Sequence, residues 1–151
     1  MTTDRPEIKV KFSGLITLPL VGEGDRGWLA FAEAEKHVPF SIRRFYVVGG
    51  IKLPNIDRGG HAHKTLRQVI FCLVGNFTLR LDDGETKQEI TMTDPAHGVI
   101  LGSGLWHDMA NISSDCVMLI VADGQYDEAD YIRDYEQFKN WVKKHDSIFR
   151  L

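Results

Sequence analysis

The sequence predicts an all-β protein whose antiparallel strands form a sandwich or barrel, followed by one C-terminal helix. Short runs rich in β-branched and aromatic residues recur at close spacing, and a turn signal closes each run. Helical periodicity is scarce before residue 127. The chain has 151 residues, of which 43% are hydrophobic and 26% charged, so we expect one globular domain spanning residues 1–151.

Eight segments carry the strand pattern. The turn Asp82-Asp83-Gly84 separates two of them and predicts a hairpin, and Gly75 ends another run in the same way. Residues 29–37 have some helical character, which Pro39 ends. The eight predicted strands are residues 8–12, 41–48, 67–74, 76–81, 87–92, 98–101, 106–111 and 116–122.

The predicted helix spans residues 127–144. Its apolar side chains recur at three- and four-residue spacing, which predicts an amphipathic helix that packs across the sheets. Acidic residues near its start and basic residues near its end match the helix dipole. The apolar positions are Ile132, Tyr135, Phe138, Trp141 and Val142.

The charge balance argues against a general nucleic-acid binder. Lys and Arg number 18 and Asp and Glu 21, so the net charge is −3 rather than strongly positive. Cys72 and Cys116 lie in apolar runs without metal-ligand spacing, and we expect buried free thiols. The sequence has no apolar signal segment and no run of about 20 apolar residues. We therefore expect a cytoplasmic protein that enters no membrane.

The segment Arg58-Gly-Gly-His-Ala-His-Lys64 carries the strongest signal for chemistry. His61 and His63 project from the same face of an extended strand, because strand side chains alternate with period two. An imidazole titrates near pH 6.5, so the pair can move protons or bind a metal near neutral pH. Arg58 and Lys64 flank the pair with positive charge, which suits an anionic ligand. The two glycines before His61 predict a bulge or a close backbone approach.

A second motif follows downstream. The first reads His-x-His-(x4)-Gln-(x6)-Gly from residue 61, and the second reads Gly-x-Gly-x-x-His-x-x-x-Asn from residue 102. Together they resemble the two signature motifs of the cupin superfamily, which implies a jelly-roll β-barrel. Gln68 stands where metal-binding cupins usually carry Glu, and Gly102 stands where Pro is usual.

The cupin resemblance leaves a metal site open. In metal cupins the positions of His61, His63, Gln68 and His107 converge on one divalent cation. Three imidazoles and a neutral amide can still bind such an ion, but the missing carboxylate removes charge that helps to bind a hard cation. The amide at Gln68 therefore favours a reaction without metal.

Further segments narrow the resemblance to the nucleotide-sugar 3,4-ketoisomerases of the WxcM-like branch of sugar-modifying cupins. The similarity covers about residues 22–140 and includes Asp25-Arg26-Gly27 and the Gln68 run with its Leu-Asp-Asp-Gly hairpin. These enzymes act on dTDP-4-keto-6-deoxyglucose. The other segments that carry the resemblance are residues 40–48, 58–64, 104–109, 113–123 and 126–138.

The resemblance implies metal-free acid/base catalysis without a cofactor. Moving the hexose carbonyl from C4 to C3 requires loss of the C3 proton, formation of an enediolate and return of a proton at C4. A positioned base typically accelerates such a step by about 10²- to 10⁴-fold. His63 is the predicted base, with His61 as its orienting partner or as a second acid/base. Tyr46 would relay a proton between oxygens or stabilise the enediolate.

The resemblance also implies a dTDP-linked substrate and a homodimer formed through the sheets. Arg44 alternates to the same face as Tyr46 and could reach the diphosphate or the sugar. Trp106 could stack on the base or the sugar. The candidate substrate-binding residues are Arg26, Arg44, Arg58, Lys64, Gln68, Trp106 and His107.

The leading hypothesis is a dTDP-4-keto-6-deoxyglucose 3,4-ketoisomerase that serves deoxy- or amino-sugar assembly for surface glycans such as O-antigen. Two other classes stay open at this point. One is a metal-dependent cupin enzyme, a dioxygenase or sugar isomerase, which metal analysis would identify. The other is a non-catalytic sugar-nucleotide-binding protein, which would bind dTDP without exchanging substrate hydrogen.

Overall fold

Residues 5–145 are described by a computed structural model, and twelve strands and one α-helix lie within them. Two single 3₁₀ turns, Gly24–Arg26 and Glu128–Asp130, interrupt the strands. The strands are β1 (Ser13–Thr17), β2 (Leu20–Gly22), β3 (Trp28–Ala30), β4 (Arg44–Val48), β5 (Arg58–His63), β6 (Gln68–Val74), β7 (Phe77–Asp82), β8 (Lys87–Met92), β9 (His97–Leu101), β10 (Trp106–Ala110), β11 (Val117–Ala122) and β12 (Tyr131–Ile132), and the helix is α1 (Tyr135–His145).

Two five-stranded antiparallel sheets form the body of the molecule. The first has the strand order β1-β9-β6-β11-β4 and the second the order β12-β5-β10-β7-β8. A separate hairpin joins β2 to β3. The largest apolar cluster takes side chains from both sheets, among them Ile70 and Met118 from the first and Leu79 and Met109 from the second. The predicted all-β cupin fold with a C-terminal helix is confirmed.

The alternation of side chains along the strands explains this core. On β7, Phe77, Leu79 and Leu81 are buried while the residues between them are half-buried. On β6 the buried run is continuous, because Ile70 faces the opposite sheet and Phe71 faces a second apolar cluster around Val38. A strand covered on both faces therefore lacks a polar alternation.

The N-terminal predictions need two corrections. Residues 8–12 do not form a strand, because Phe12 adopts a left-handed φ of 64° that turns the chain before β1 begins. Residues 29–37 do not form a helix, and Glu35 has a left-handed φ of 64° within a turn. Both β1 and the β2–β3 hairpin were absent from the sequence prediction.

The C-terminal helix begins at Tyr135 rather than at residue 127. Asp127 caps only the short 3₁₀ turn, and the chain then extends as β12 beside β5. The Asp134 carboxylate accepts a hydrogen bond from the Gln137 amide and so caps α1. Phe138 is fully buried against Ile132, as the amphipathic pattern predicts.

Two expectations about the chain's other features can be compared with the structure. Cys72 and Cys116 are both free and buried, as predicted. Within residues 5–145, no helix is long and apolar enough to cross a membrane.

Candidate active site

A cavity of about 530 Å³ opens between the two sheets at the end where β12 begins. Its wall is formed by strands of both sheets, by Asp57 in the loop before β5 and by the segment that precedes α1. The lining residues are Arg44, Tyr46, Val48, Asp57, Arg58, Gly59, His61, Ile70, Leu101, His107, Met109, Ile120, Tyr126, Tyr131 and Arg133.

Three histidines form a cluster at the edge of this cavity, because β5 and β10 are neighbours in register. His61 pairs with His107 across the two strands, and His63 follows on the same face of β5. One ring nitrogen from each histidine lies within 4.8 Å of those of the other two. This spacing would also suit a transition-metal ion held by three imidazoles.

The three imidazoles are neutral at neutral pH. Burial, and secondarily the neighbouring histidine, lowers the pKa of His61 and of His63 to about 4. The same two causes lower the pKa of His107 to about 3. A neutral imidazole has one nitrogen lone pair available, so this cluster can accept protons.

Two glycines shape the backbone beneath His61. Gly59 and Gly60 have φ values of 83° and 77°, a region that other residues adopt with strain. A Cβ atom on Gly59 would lie only 3.0 Å from the carbonyl oxygen of His107. The β5–β10 register shifts at this point. The predicted bulge with close backbone approach is confirmed.

His61 and His63 differ in depth. His61 lines the cavity. His63 is not among the lining residues and is only 2% exposed. The Tyr131 ring lies against both histidines, with its centroid 4.4 Å from that of His63 and 4.9 Å from that of His61. A general base has to reach the proton that it removes. Of these two histidines, His61 is therefore the one that reaches the cavity.

His63 has a carboxylate partner that the sequence analysis missed. Its Nδ1 lies 3.2 Å from Asp130 Oδ2. Burial would raise the pKa of Asp130, but hydrogen bonds from Thr65 and Leu66 together outweigh it and lower the pKa. Because ionised Asp130 can only accept, neutral His63 donates Nδ1–H and keeps its lone pair on Nε2. Asp130 was placed in the predicted helix, which hid its role.

Tyr46 lines the cavity, and Gln68 lies behind it. Gln68 Nε2 donates to Tyr46 Oη at 2.9 Å. Burial raises the pKa of Tyr46, and this hydrogen bond opposes the increase. Gln68 was predicted to bind substrate, but it is only 1% exposed and is not among the lining residues. Tyr46 stands between it and the cavity.

Arginines dominate the charge at the cavity. Arg44 and Arg58, two of the predicted substrate-binding residues, line it, and Arg133 is a third cation that the sequence analysis did not select. Asp57 is the acidic residue in the same lining, and it pairs with Arg80 outside it. The buried Nε of Arg44 has no hydrogen-bond partner among residues 5–145. An anionic ligand would supply that acceptor.

Besides Gln68, three further predicted substrate-binding residues lie outside the cavity. Arg26 is at the exposed tip of the β2–β3 hairpin, paired with Glu23 at 3.5 Å. Lys64 donates from Nζ to the carbonyl oxygen of Ala129. Trp106 faces away from the cavity and packs against α1, because it alternates with the inward-facing His107. These three assignments are not supported within one copy of the chain.

The segment before α1 supplies groups that the sequence analysis did not select. Tyr126, Tyr131 and Arg133 line the cavity. Arg133 forms a two-point contact with Glu128, at 2.7 and 3.0 Å, and its guanidinium lies 4.1 Å from the Tyr131 ring centroid. The Tyr-Ile-Arg run at residues 131–133 could have indicated an extended segment, but it had been assigned to the predicted helix.

The chain is similar to proteins of known activity. Residues 11–143 match the family described as FdtA: WxcM-like, C-terminal. The TDP-4-oxo-6-deoxy-alpha-D-glucose-3,4-oxoisomerase of Aneurinibacillus thermoaerophilus is 48% identical over 119 residues, which cover 79% of this chain and 85% of that protein.

Solved structures agree with this similarity. QdtA, a sugar 3,4-ketoisomerase of Thermoanaerobacterium thermosaccharolyticum in complex with TDP, aligns with a TM-score of 0.86 at 33% identity over 91% of this chain and 98% of that chain. A histidine-to-asparagine variant of it, in complex with TDP-4-keto-6-deoxyglucose, has the same TM-score at 32% identity, over 90% and 97% of the chains. The WlaRB TDP-quinovose 3,4-ketoisomerase of Campylobacter jejuni aligns with a TM-score of 0.82 at 35% identity, over 87% and 99%.

Proposed function

The chain belongs to the WxcM-like FdtA family, and from that membership we infer that it is a TDP-4-keto-6-deoxyglucose 3,4-ketoisomerase. The observation that carries this inference is a neutral histidine, His61, on the wall of a cavity that three arginines border. The base suits removal of a proton next to a ketone, and the cations suit a sugar linked to a diphosphate.

The proposed reaction moves two hydrogens. His61 takes the proton from C3, and the electrons of that bond form the C3–C4 double bond of an enediolate, with the negative charge on O4. Tyr46 donates a hydrogen bond to this oxygen and relays the proton that leaves O3 for O4. Return of a proton to C4 gives the 3-keto product. Substrate and product are isomers, so the step consumes no oxidant or reductant.

The substrate's diphosphate would lie against Arg44 and Arg58. Arg44 Nε is the buried donor without a partner among residues 5–145, and Arg58 extends into the same cavity from β5. Arg133 already pairs with Glu128, so its role would be to order the segment over the cavity. Planar guanidinium groups match phosphate oxygens better than the compact ammonium group of lysine.

We also propose that two copies associate through the first sheet. β4 is its edge strand and exposes Phe45 and Val47 to solvent in the single chain, at 68% and 55%. The β2–β3 hairpin exposes Leu20 and Trp28 as well. Contiguous exposed apolar side chains mark association surfaces. A cytoplasmic location, and a place in deoxy- or amino-sugar assembly for surface glycans, remain proposals that rest on the sequence and the family.

Turnover of the native chain tests the proposed activity. The purified protein is incubated with TDP-4-keto-6-deoxyglucose in D₂O, and the products are followed by NMR. We expect a 3-keto sugar that carries deuterium at C4. Tight binding of TDP with no exchange of hydrogen even at high protein concentration would contradict an isomerase and favour a binding protein.

A further inference from the structure

Gln68 is a buried polar residue that the proposed reaction does not yet use. It lies on β6, on the same inward face as the cavity residue Ile70. Its Nε2 contacts Tyr46 Oη at 2.9 Å, and its Oε1 has no hydrogen-bond partner among residues 5–145. A buried amide that directs one of its groups at a cavity tyrosine needs a reason beyond packing.

The polarity of this hydrogen bond has a chemical consequence. An amide nitrogen can only donate, whereas a phenol oxygen can both accept and donate. Gln68 therefore occupies an acceptor position of Tyr46 Oη and leaves the phenol proton to another acceptor. Within the described part of the chain the Tyr46 hydroxyl donates to no group, and Tyr46 faces the cavity. The phenol proton is available to a bound ligand.

We propose that Gln68 is a positioning residue that directs the Tyr46 O–H toward the substrate oxygen on which negative charge develops. This proposal rests on the isomerase function and deepens it. A glutamate at the same position would accept the phenol proton and turn it away from the cavity. The amide at residue 68 thus orients the phenol proton of Tyr46, whereas a carboxylate at the same position would suit a metal ligand.

Two substitutions at residue 68 separate orientation from packing. Gln68→Glu keeps the size and reverses the polarity, so kcat should fall by about ten- to a hundredfold, the effect of one lost hydrogen bond in the transition state. KM should change little, because Gln68 does not line the cavity. Gln68→Met removes the donor without supplying an acceptor and should cost less. Equal kcat values for the two variants would overturn the proposal.

The pH profile of Gln68→Glu gives a readout that a structural defect would not produce. A protonated glutamate donates again, and burial raises its pKa, so kcat should recover as the pH is lowered. The charged or titratable groups that act on Tyr46 are Arg44, Arg58 and Tyr131, and all three are unchanged in the variant. A loss of kcat that is independent of pH would contradict the proposal.

The Tyr46→Phe background provides the matched control. Without the phenol proton there is nothing to orient, so Gln68→Glu should have almost no further effect on kcat. If the kcat losses of the two substitutions simply add, Gln68 does not act through Tyr46.

A measurement without substrate keeps this test separate from that of the activity. In ¹³C-tyrosine NMR, with Tyr46→Phe identifying the signal, Gln68→Met should raise the pKa of Tyr46. An unchanged pKa would overturn the hydrogen bond itself, whereas an inactive native chain would overturn only the proposed function.

Discussion

His61 and His63 leave the same face of β5 but have different surroundings. His61 lines the cavity, while His63 is only 2% exposed and forms a hydrogen bond with Asp130. Burial makes both imidazoles neutral, so charge state does not distinguish them. Access to the cavity does distinguish the two imidazoles, since a base acts on a proton within hydrogen-bond distance. His63, held by Asp130, supports the ring of His61 from behind.

His61→Asn and His63→Asn test this division. We expect His61→Asn to lower kcat by about 10²- to 10⁴-fold and to abolish deuterium exchange at the reacting carbons, because the base is lost. His63→Asn should retain measurable exchange. TDP affinity, measured by calorimetry, should stay close to that of the native chain in both. Exchange that survives in His61→Asn and disappears in His63→Asn would restore the sequence-based assignment.

The bulge in β5 places His61 within its strand pair. Gly59 contacts β10 so closely that a Cβ atom would approach the His107 carbonyl oxygen and lie 3.2 Å from Asp108 Cα. Its positive φ adds backbone strain for any side chain. The strand pair therefore requires glycine here, and the position of the bulge sets the register in which His61 faces His107.

Gly59→Ala should destabilise the protein by about 1–3 kcal/mol, because a strained backbone conformation and a close contact are introduced together. Urea unfolding measures this change, and turnover should fall with it. Gly22→Ala is the matched control, since a Cβ atom there meets nothing within 4 Å. Equal stabilities for the two variants would show that the β5–β10 contact relaxes without cost.

The burial of three neutral imidazoles affects the stability of the whole molecule. Their pKa values are about 4, 4 and 3 in the folded protein, against an ordinary value near 6.5. At a pH between the folded-state pKa values and the ordinary value, the unfolded chain binds more protons than the folded one. The free energy of unfolding therefore decreases as the pH falls through this range. Stability from this source is complete above about pH 6.5.

Lowering the pH from 7.5 to 5 should therefore reduce the free energy of unfolding, and the decrease should steepen below about pH 6.5. Urea titrations at several pH values measure the slope. His107→Gln removes one buried imidazole and should give a shallower slope between pH 4 and 6.5. A slope that does not change would mean that other groups cause the acid sensitivity.

The exposed apolar surface of β4 predicts the state of association. Phe45→Glu places a charge in the proposed contact and should convert a dimer to monomers in sedimentation experiments. Leu53→Glu is the control, because Leu53 is equally exposed, at 67%, but lies in the loop after β4 and not on the strand itself. A native chain that sediments as a monomer would contradict the proposed association.

The sequence by itself determined the fold class, most strand positions and the histidine motif. Strand alternation and turn residues are local signals, and the segments β6, β7, β8 and β11 follow them closely. Glycine conformation is also local, so the bulge before His61 was predictable. Arg58 could be selected from its place beside the motif, and Arg44 from its alternation with Tyr46 along the strand.

Only the tertiary structure decided which of these residues meet. His63 packs against Tyr131, and its partner Asp130 lies 67 residues away in the chain. The extended path of residues 131–132 reflects pairing with β5, which overrides the local helical pattern. Arg26, Lys64 and Trp106 carry suitable chemistry but face other surroundings. Spacing along a strand gives the face of a side chain, whereas burial depends on what packs over it from elsewhere in the chain.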